Sequence, residues 1–237
     1  MRYLSLFLLA VIFVGCEAKQ DQLDGKLLLE KSSQFHDKNN EWNTTDFTIH
    51  IQEPRVGNPS RYSIVSLNNK DNSFELKRNR EQHISTHKID ENGSVTLLDG
   101  EVITDSLLIK KYRLEPKRNK RYHRFYKTLL GLPMSLPNEI KEMNAVEEAV
   151  FNSVESYKIP IELKEPLFSK HWVLYLSKKE HKILGLEMVF PSDAVKGERL
   201  VFEGEFKLGD LILPRIRHWR ELSNEYLGSD IIIGEVN

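Results

Sequence analysis

Between Trp42 and Leu98 apolar and polar residues alternate with a period of two. Phe47, Ile49 and Ile51 interleave with Thr48, His50 and Gln52, which predicts a half-buried strand stopped by Pro54. Val56 to Pro59 reads as a loop. Tyr62 with Ile64 and Phe74 with Leu76 mark two further strands, parted by the turn residues Asn68 to Asn72. Gln82 to Ile89 and Ser94 to Leu98 form a predicted hairpin around Asp90-Glu-Asn-Gly93. Strand-like runs return at Val146–Val150, Tyr157–Leu163, Trp172–Leu176, Ile183–Phe190, Arg199–Leu208 and Leu211–Trp219. Gly209-Asp210 supplies the tight turn joining the last two.

Two segments follow a helical period instead. Lys26 to His36 carries Leu27, Leu28, Lys31 and Phe35 at helical spacing and ends near Asp37. Thr104 to Leu130 is helical with a break near Pro116. Strands dominate, connections are short, and no strand–helix–strand alternation occurs. The pattern therefore predicts an α+β fold, a single antiparallel sheet with a few helices laid on one face.

The second helical segment changes the picture of a bland domain. From Lys110 to Lys127 nine basic residues stand against the lone acid Glu115. Tyr122, Phe125, Tyr126, Leu129 and Leu130 share one helical face, while Lys117, Lys120, Arg124 and Lys127 fall on the other. Two readings of that basic stripe stay open: the solvated back of a packed helix, or a contact surface for anionic lipid headgroups. Leu130-Gly-Leu-Pro-Met134 ends the helix, with Gly131 as its C-terminal cap residue and Pro133 barring continuation. The same apolar loop can also rim a cavity, which makes Phe125, Leu129, Leu132 and Met134 its expected lining.

The chain of 237 residues carries 34 Lys and Arg against 35 Asp and Glu, so its net charge is −1. That balance speaks against a nucleic-acid binder. The sole cysteine, Cys16, leaves no intrachain disulfide and no multi-cysteine zinc site. It follows one positive charge, an apolar run of eleven residues from Leu4 to Val14, and Gly15. That run is shorter than the ~20 residues of a membrane span and reads as a secretory signal. Phe13-Val14-Gly15-Cys16 resembles the lipobox of bacterial lipoproteins, which implies cleavage before Cys16 and its acylation, palmitate included. The expected organisation is a lipoprotein signal peptide over 1–15, a polar tether over 16–25 and a single domain over 26–237.

Catalytic motifs are absent: no Gly-x-Ser-x-Gly, no His-Glu-x-x-His and no Gly-rich phosphate loop. His83 and His87 would lie about 13 Å apart on a strand, too far to share a metal. His36-Asp37 sits where a helix ends and reads as a cap. Glu203 and Glu205 share a strand face and read as solvated. No cofactor and no metal is implied.

Several segments together resemble an uncharacterised lipoprotein family of Bacteroidota, domain of unknown function 6503. They are Leu28 to Asp37 followed by Trp42, Leu130 to Met134, Phe202-Glu-Gly-Glu-Phe206, Leu213-Pro-Arg-Ile-Arg-His-Trp219 and Tyr226 to Ile231. More distantly the chain resembles the LolA/LolB type of envelope protein. That resemblance implies a curved antiparallel half-barrel whose concave face is covered by helices, with an apolar cavity between. The functional expectation is an outer-membrane lipoprotein, anchored by its acyl groups and monomeric, that binds a lipid or acyl chain. A structural protein docking an envelope partner through its basic helix or a sheet edge is the alternative, and an envelope hydrolase the third.

Overall fold

The computed structural model describes residues 23–190 and 193–236. The expected signal segment and Cys16 lie outside the described residues. Three helices, α1 (Gly25–His36), α2 (Ser106–Tyr112) and α3 (Lys117–Leu130), accompany thirteen strands. The strands are β1 (Asp46–Arg55), β2 (Asn58–Asn68), β3 (Ser73–Arg80), β4 (His83–Asp90), β5 (Gly93–Leu98), β6 (Ile140–Met143) and β7 (Glu147–Phe151). They continue with β8 (Val154–Leu167), β9 (Ser169–Ser177), β10 (Ile183–Phe190), β11 (Asp193–Leu208), β12 (Leu211–Glu221) and β13 (Tyr226–Glu235).

All pairings are antiparallel, and the sheet runs β5-β4-β3-β2-β1-β13-β12-β11-β10-β9-β8-β6, with β7 alongside β8. It does not close, so the architecture is the expected α+β open half-barrel. The path explains where the helices lie. The chain meanders outward from β1 to the β5 edge, crosses as α2 and α3, and resumes as β6 at the opposite edge. A connection between two edges of one sheet has to run across a face, and here it straps the inner one. From β8 the chain meanders back to the middle, where β13 inserts between β12 and β1 and joins the two halves.

The alternation read from the sequence matches β1 to β5 and β7 to β12, and three details differ. Pro54 does not end β1: it sits at a bulge between Glu53 and Arg55, where a missing N–H breaks no regular ladder. Asn58 and Pro59 already belong to β2. Strands β6 and β13 were not expected, because β6 spans four edge residues and β13 interrupts its apolar residues with Gly228, Ser229 and Asp230.

Local chemistry sets the helix ends. The Asp24 carboxylate accepts from the backbone N–H of Lys26 at 2.9 Å and Leu27 at 3.3 Å, so α1 starts one residue earlier than the periodicity suggested. Asp105 caps α2 in the same way, accepting from Leu107 at 2.7 Å. Gly131 follows α3 with ordinary helical-side backbone angles, φ −84° and ψ 9°, rather than in the left-handed region. Its lack of a side chain serves close approach instead: a Cβ there would stand 2.2 Å from the Trp42 ring. Gly209 does take a left-handed φ of 57°, which the tight β11–β12 hairpin uses.

Two apolar clusters fill the inner face. One joins Leu28 and Leu29 of α1 to Ile159, Trp172, Leu174 and Met188 of the C-terminal strands. The other gathers Trp42, Phe47, Ile49, Leu67 and Phe74 of the N-terminal strands under Tyr126 and Leu130. Helix α3 belongs to both: Leu129 packs in the first, Tyr126 in the second, and Phe125 touches each. Asn119 fastens its first turns to the β4–β5 hairpin. Its side-chain amide donates to Ser94 Oγ at 2.8 Å and to the Val95 carbonyl at 2.9 Å, and its Oδ1 accepts from His87 Nδ1 at 2.7 Å.

Candidate functional site

Two concavities on the helix-covered side differ sharply in chemistry. The first, about 630 Å³, lies between α1 and the segment from Met134 to Met143. Leu29, Trp42, Met134, Ile140 and Met143 give it an apolar lining. Charged residues on its walls come in both signs, Lys26, Lys38 and Lys141 against Glu30, Asp37 and Glu142. A pocket of this size, apolar within and polar around, is the usual form of a small-molecule site.

The second, about 370 Å³, is built from strand residues whose side chains point inward. Along β1 the inward positions run Phe47, Ile49, Ile51 and then Glu53; along β2 they run Leu67, Val65, Ser63 and Arg61; along β3 they run Phe74, Leu76 and Arg78. Register places Glu53 opposite Arg61 and Ser63 opposite Arg78, so the inner face turns from apolar to charged within one strand length. Arg78 is buried, and its Nε donates to Ser63 Oγ at 2.9 Å while its NH2 group donates to Glu53 at 2.6 Å and to the Tyr126 hydroxyl. Arg55 reaches Asp230 of β13, whose other oxygen accepts from the Trp219 indole at 2.8 Å. Arg113, Arg118 and Arg121 complete the basic wall from the helical strap, and Phe125, Leu167 and Phe168 the apolar one. Arg113 holds a left-handed φ of 58° as the residue that ends α2.

Electrostatics follow from this packing. Burial alone would push the Glu53 carboxyl up. Arg78, Arg61, the Ser63 hydroxyl and Arg55 override it and hold the group down at about 2. Burial pulls Arg80 down to about 10, and the neighbouring charges of Arg78, Arg113 and Arg61 pull the same way. His87 drops to about 4, first through burial and then through Arg80, Arg78 and Arg118, against the bond to Asn119. The interior around this pocket is strongly positive.

The residues expected from the sequence are distributed between these places. Met134 lines the first concavity and Phe125 the second. Leu129 and Leu132, 2% and 0% exposed, are packed in the core beneath α3. The four therefore do not surround one cavity, because the inner face of α3 is pressed onto the sheet. In the basic stripe, Lys117 and Lys120 are exposed and form no ion pair among the described residues. Arg124 is spent inside the protein, donating to Glu139 at 2.7 Å and to the carbonyls of Glu165 and Pro166 at 2.8 Å. Lys127 donates to Asn72 at 2.7 Å.

His36 and Asp37 are structural, as read. Asp37 accepts from the backbone N–H groups of Glu41 and Trp42, both at 2.8 Å. His36, fully buried, donates through Nδ1 to the Ile212 carbonyl at 2.5 Å and accepts at Nε2 from Ile183 N–H at 3.1 Å. His83 and His87 both lie on β4, bonded respectively to Asp99 and Asn119. Glu203 and Glu205 pair separately, with His218 at 3.1 Å and Lys182 at 2.7 Å. Among the described residues no three His, Asp or Glu side chains gather as a metal site, and no helix is long and apolar enough to cross a membrane.

Relatives bear on the whole of this architecture. The family of unknown function DUF6503 matches residues 2–202. The chain belongs to that family. No curated protein matches it in sequence. Among solved structures it is similar to a LolA superfamily protein from Nitrosomonas europaea, at 6% identity and a TM-score of 0.50 over 90% of this chain and 93% of that one. A DUF1329 family protein from Desulfovibrio piger is similar at 9% identity and a TM-score of 0.51, over 89% and 91%. So is a domain described as an outer membrane lipoprotein-sorting protein from Vibrio parahaemolyticus, at 9% identity and 0.51, over 88% and 92%. At such identities the likeness is one of fold, and it confirms the LolA-like half-barrel for this DUF6503 member.

Proposed function

We propose that this DUF6503 protein is a non-enzymatic envelope lipoprotein, anchored to the outer membrane through acyl groups on Cys16, that binds a lipid or acyl chain. The observation that carries this reading is the apolar concavity under α1, open to solvent yet floored by Leu29, Trp42, Met134, Ile140 and Met143. Its fold is shared with a LolA superfamily protein and a lipoprotein-sorting domain, which supports an envelope role. The mixed charges around the concavity suit an amphiphile, whose apolar part enters while its polar part stays wet. The exposed Lys117 and Lys120 on α3 support a contact with anionic headgroups at the membrane surface.

Native mass spectrometry of the folded domain, purified without detergent, tests the reading. The expected spectrum contains a second species heavier by the mass of one lipid, removed by organic extraction. A single apo mass from independent preparations contradicts it.

A further inference from the structure

The charge in the second pocket is out of balance. Six arginines line it, against the carboxylates of Glu53 and Asp230. Glu53 is shared three ways, lying 2.6 Å from Arg78, 2.7 Å from Arg61 and 3.4 Å from Arg55. Asp230 is divided between Arg55 and the Trp219 indole. Arg118 takes its partner, Glu115, from its own helical turn. Arg113 and Arg121 have no carboxylate partner among the described residues, and the buried Nε of Arg61 donates to nothing.

Like charges brought together away from bulk water repel more strongly than on an open surface. Arg80 and His87 beside the pocket are lowered first by burial, and the charges of Arg78 and its neighbours act on them in the same direction. The choice of cation is informative as well: every basic residue of the pocket is arginine and none is lysine. Guanidinium is the planar, weakly hydrated donor suited to holding phosphate or carboxylate by paired hydrogen bonds in a partly buried site. Beside these donors lie Leu167, Phe125 and Phe168, with Arg121 stacked over the Phe168 ring at 5.8 Å.

We propose that this pocket is a binding site for a phosphate-type oxyanion, carried by the headgroup of an amphiphile or present as the free ion. Arg61, Arg78, Arg113 and Arg121 supply the donors, and Glu53 holds the strand-borne pair in place. The apolar wall favours the amphiphile. None of these residues lines the concavity beneath α1, so the two sites stand or fall separately.

Isothermal titration of the folded domain with sodium phosphate, short-chain phosphatidate and short-chain phosphatidylcholine, all below micelle formation, tests the site. Phosphatidate is expected to bind saturably, more weakly as salt is added, and more tightly than phosphatidylcholine. The double substitution Arg113→Asn with Arg121→Gln removes two exposed charges and keeps a residue that tolerates the left-handed backbone at 113. It is expected to weaken phosphatidate about tenfold while circular dichroism stays unchanged. If sodium phosphate binds as tightly as phosphatidate, the oxyanion site stands with the free ion as its ligand. Absence of saturable binding by either at low salt, equal binding of phosphatidylcholine, or indifference to the double substitution in a folded protein overturns it. Loss of a neutral hydrophobic probe on Met143→Arg, a residue of the concavity under α1 and not of this pocket, reports that concavity and separates failure here from failure of the lipid reading.

Discussion

Glu53→Gln is expected to destabilise the domain by about 3–5 kcal/mol, the usual cost of removing one member of a buried ionic group. The carboxylate is 2% exposed and is the common counter-charge of Arg55, Arg61 and Arg78. Glutamine fills the same volume and still accepts the Ser63 hydroxyl bond, made at 2.6 Å. It cannot compensate three guanidiniums. Arg78, itself buried, would then hold an unpaired charge under α3 and its contact with Tyr126. Glu203→Gln is the control: its side chain is 70% exposed and pairs with His218 on the sheet surface, so its loss should fall within ~0.5 kcal/mol. Urea unfolding of the two variants gives the comparison. Equal midpoints would show that Glu53 is not the keystone of the arginine cluster.

Acid should unfold this domain early, chiefly through two fully buried histidines, with the half-buried His123 lowered to about 4 in the same sense, by burial and then by Lys127. His36 and His87 are both fully buried and both held at about 4, in each case chiefly by burial. In the unfolded chain each titrates near the ordinary histidine value of 6.5. Between those values the unfolded state binds more protons than the folded one, so stability rises with pH across the window. The contribution is fully present above about pH 6.5 and is lost as pH falls towards about 4, amounting to about 3 kcal/mol for each histidine. Glu198, whose carboxyl is pushed up by burial, works in the opposite sense. Glu53 stays ionised throughout the window. Geometry names the mechanism at His36: a proton on Nε2 abolishes the bond accepted from Ile183 N–H, which ties α1 to the β10 ladder. Urea midpoints measured from about pH 7 to about pH 4 should fall steeply in the wild type and less steeply in His36→Gln. A pH-independent midpoint would contradict the neutral, buried state of both rings.

Much of the fold is legible in the sequence because its strands are half-buried. Alternation such as Phe47-Thr-Ile-His-Ile51 reports an inner and an outer face directly. Strand β13 escapes that reading for a physical reason. Ser229 and Asp230 are buried there among polar partners, Arg55, His218 and Trp219, so its central residues do not look like core. The arginine pocket escapes it more completely. Glu53, Arg61 and Arg78 occupy inward positions, yet a charged residue following apolar ones is read as the place where a strand leaves the core. The signal was present as parity: each lies two residues beyond a buried neighbour on the same face. Only the pairing of three strands shows that their ends coincide, and only α3 laid across them encloses the result. The basic stripe illustrates the converse. Lys117, Lys120, Arg124 and Lys127 are alike in sequence, but two are consumed by bonds to Glu139 and Asn72.

Binding of a neutral naphthylamine fluorophore is the direct probe for a hydrophobic ligand in the concavity under α1. Met143 lines that concavity from the short edge strand β6 and is partly exposed at the margin of the first apolar cluster, so Met143→Arg places a charge on its apolar wall. The wild-type domain should bind the probe saturably, added diacylglycerol should displace it, and Met143→Arg should weaken it at least about tenfold, the cost of setting a charge against an apolar ligand. Undiminished binding by a folded Met143→Arg variant, or no saturable binding by the wild type, would show that the concavity does not receive a hydrophobic ligand.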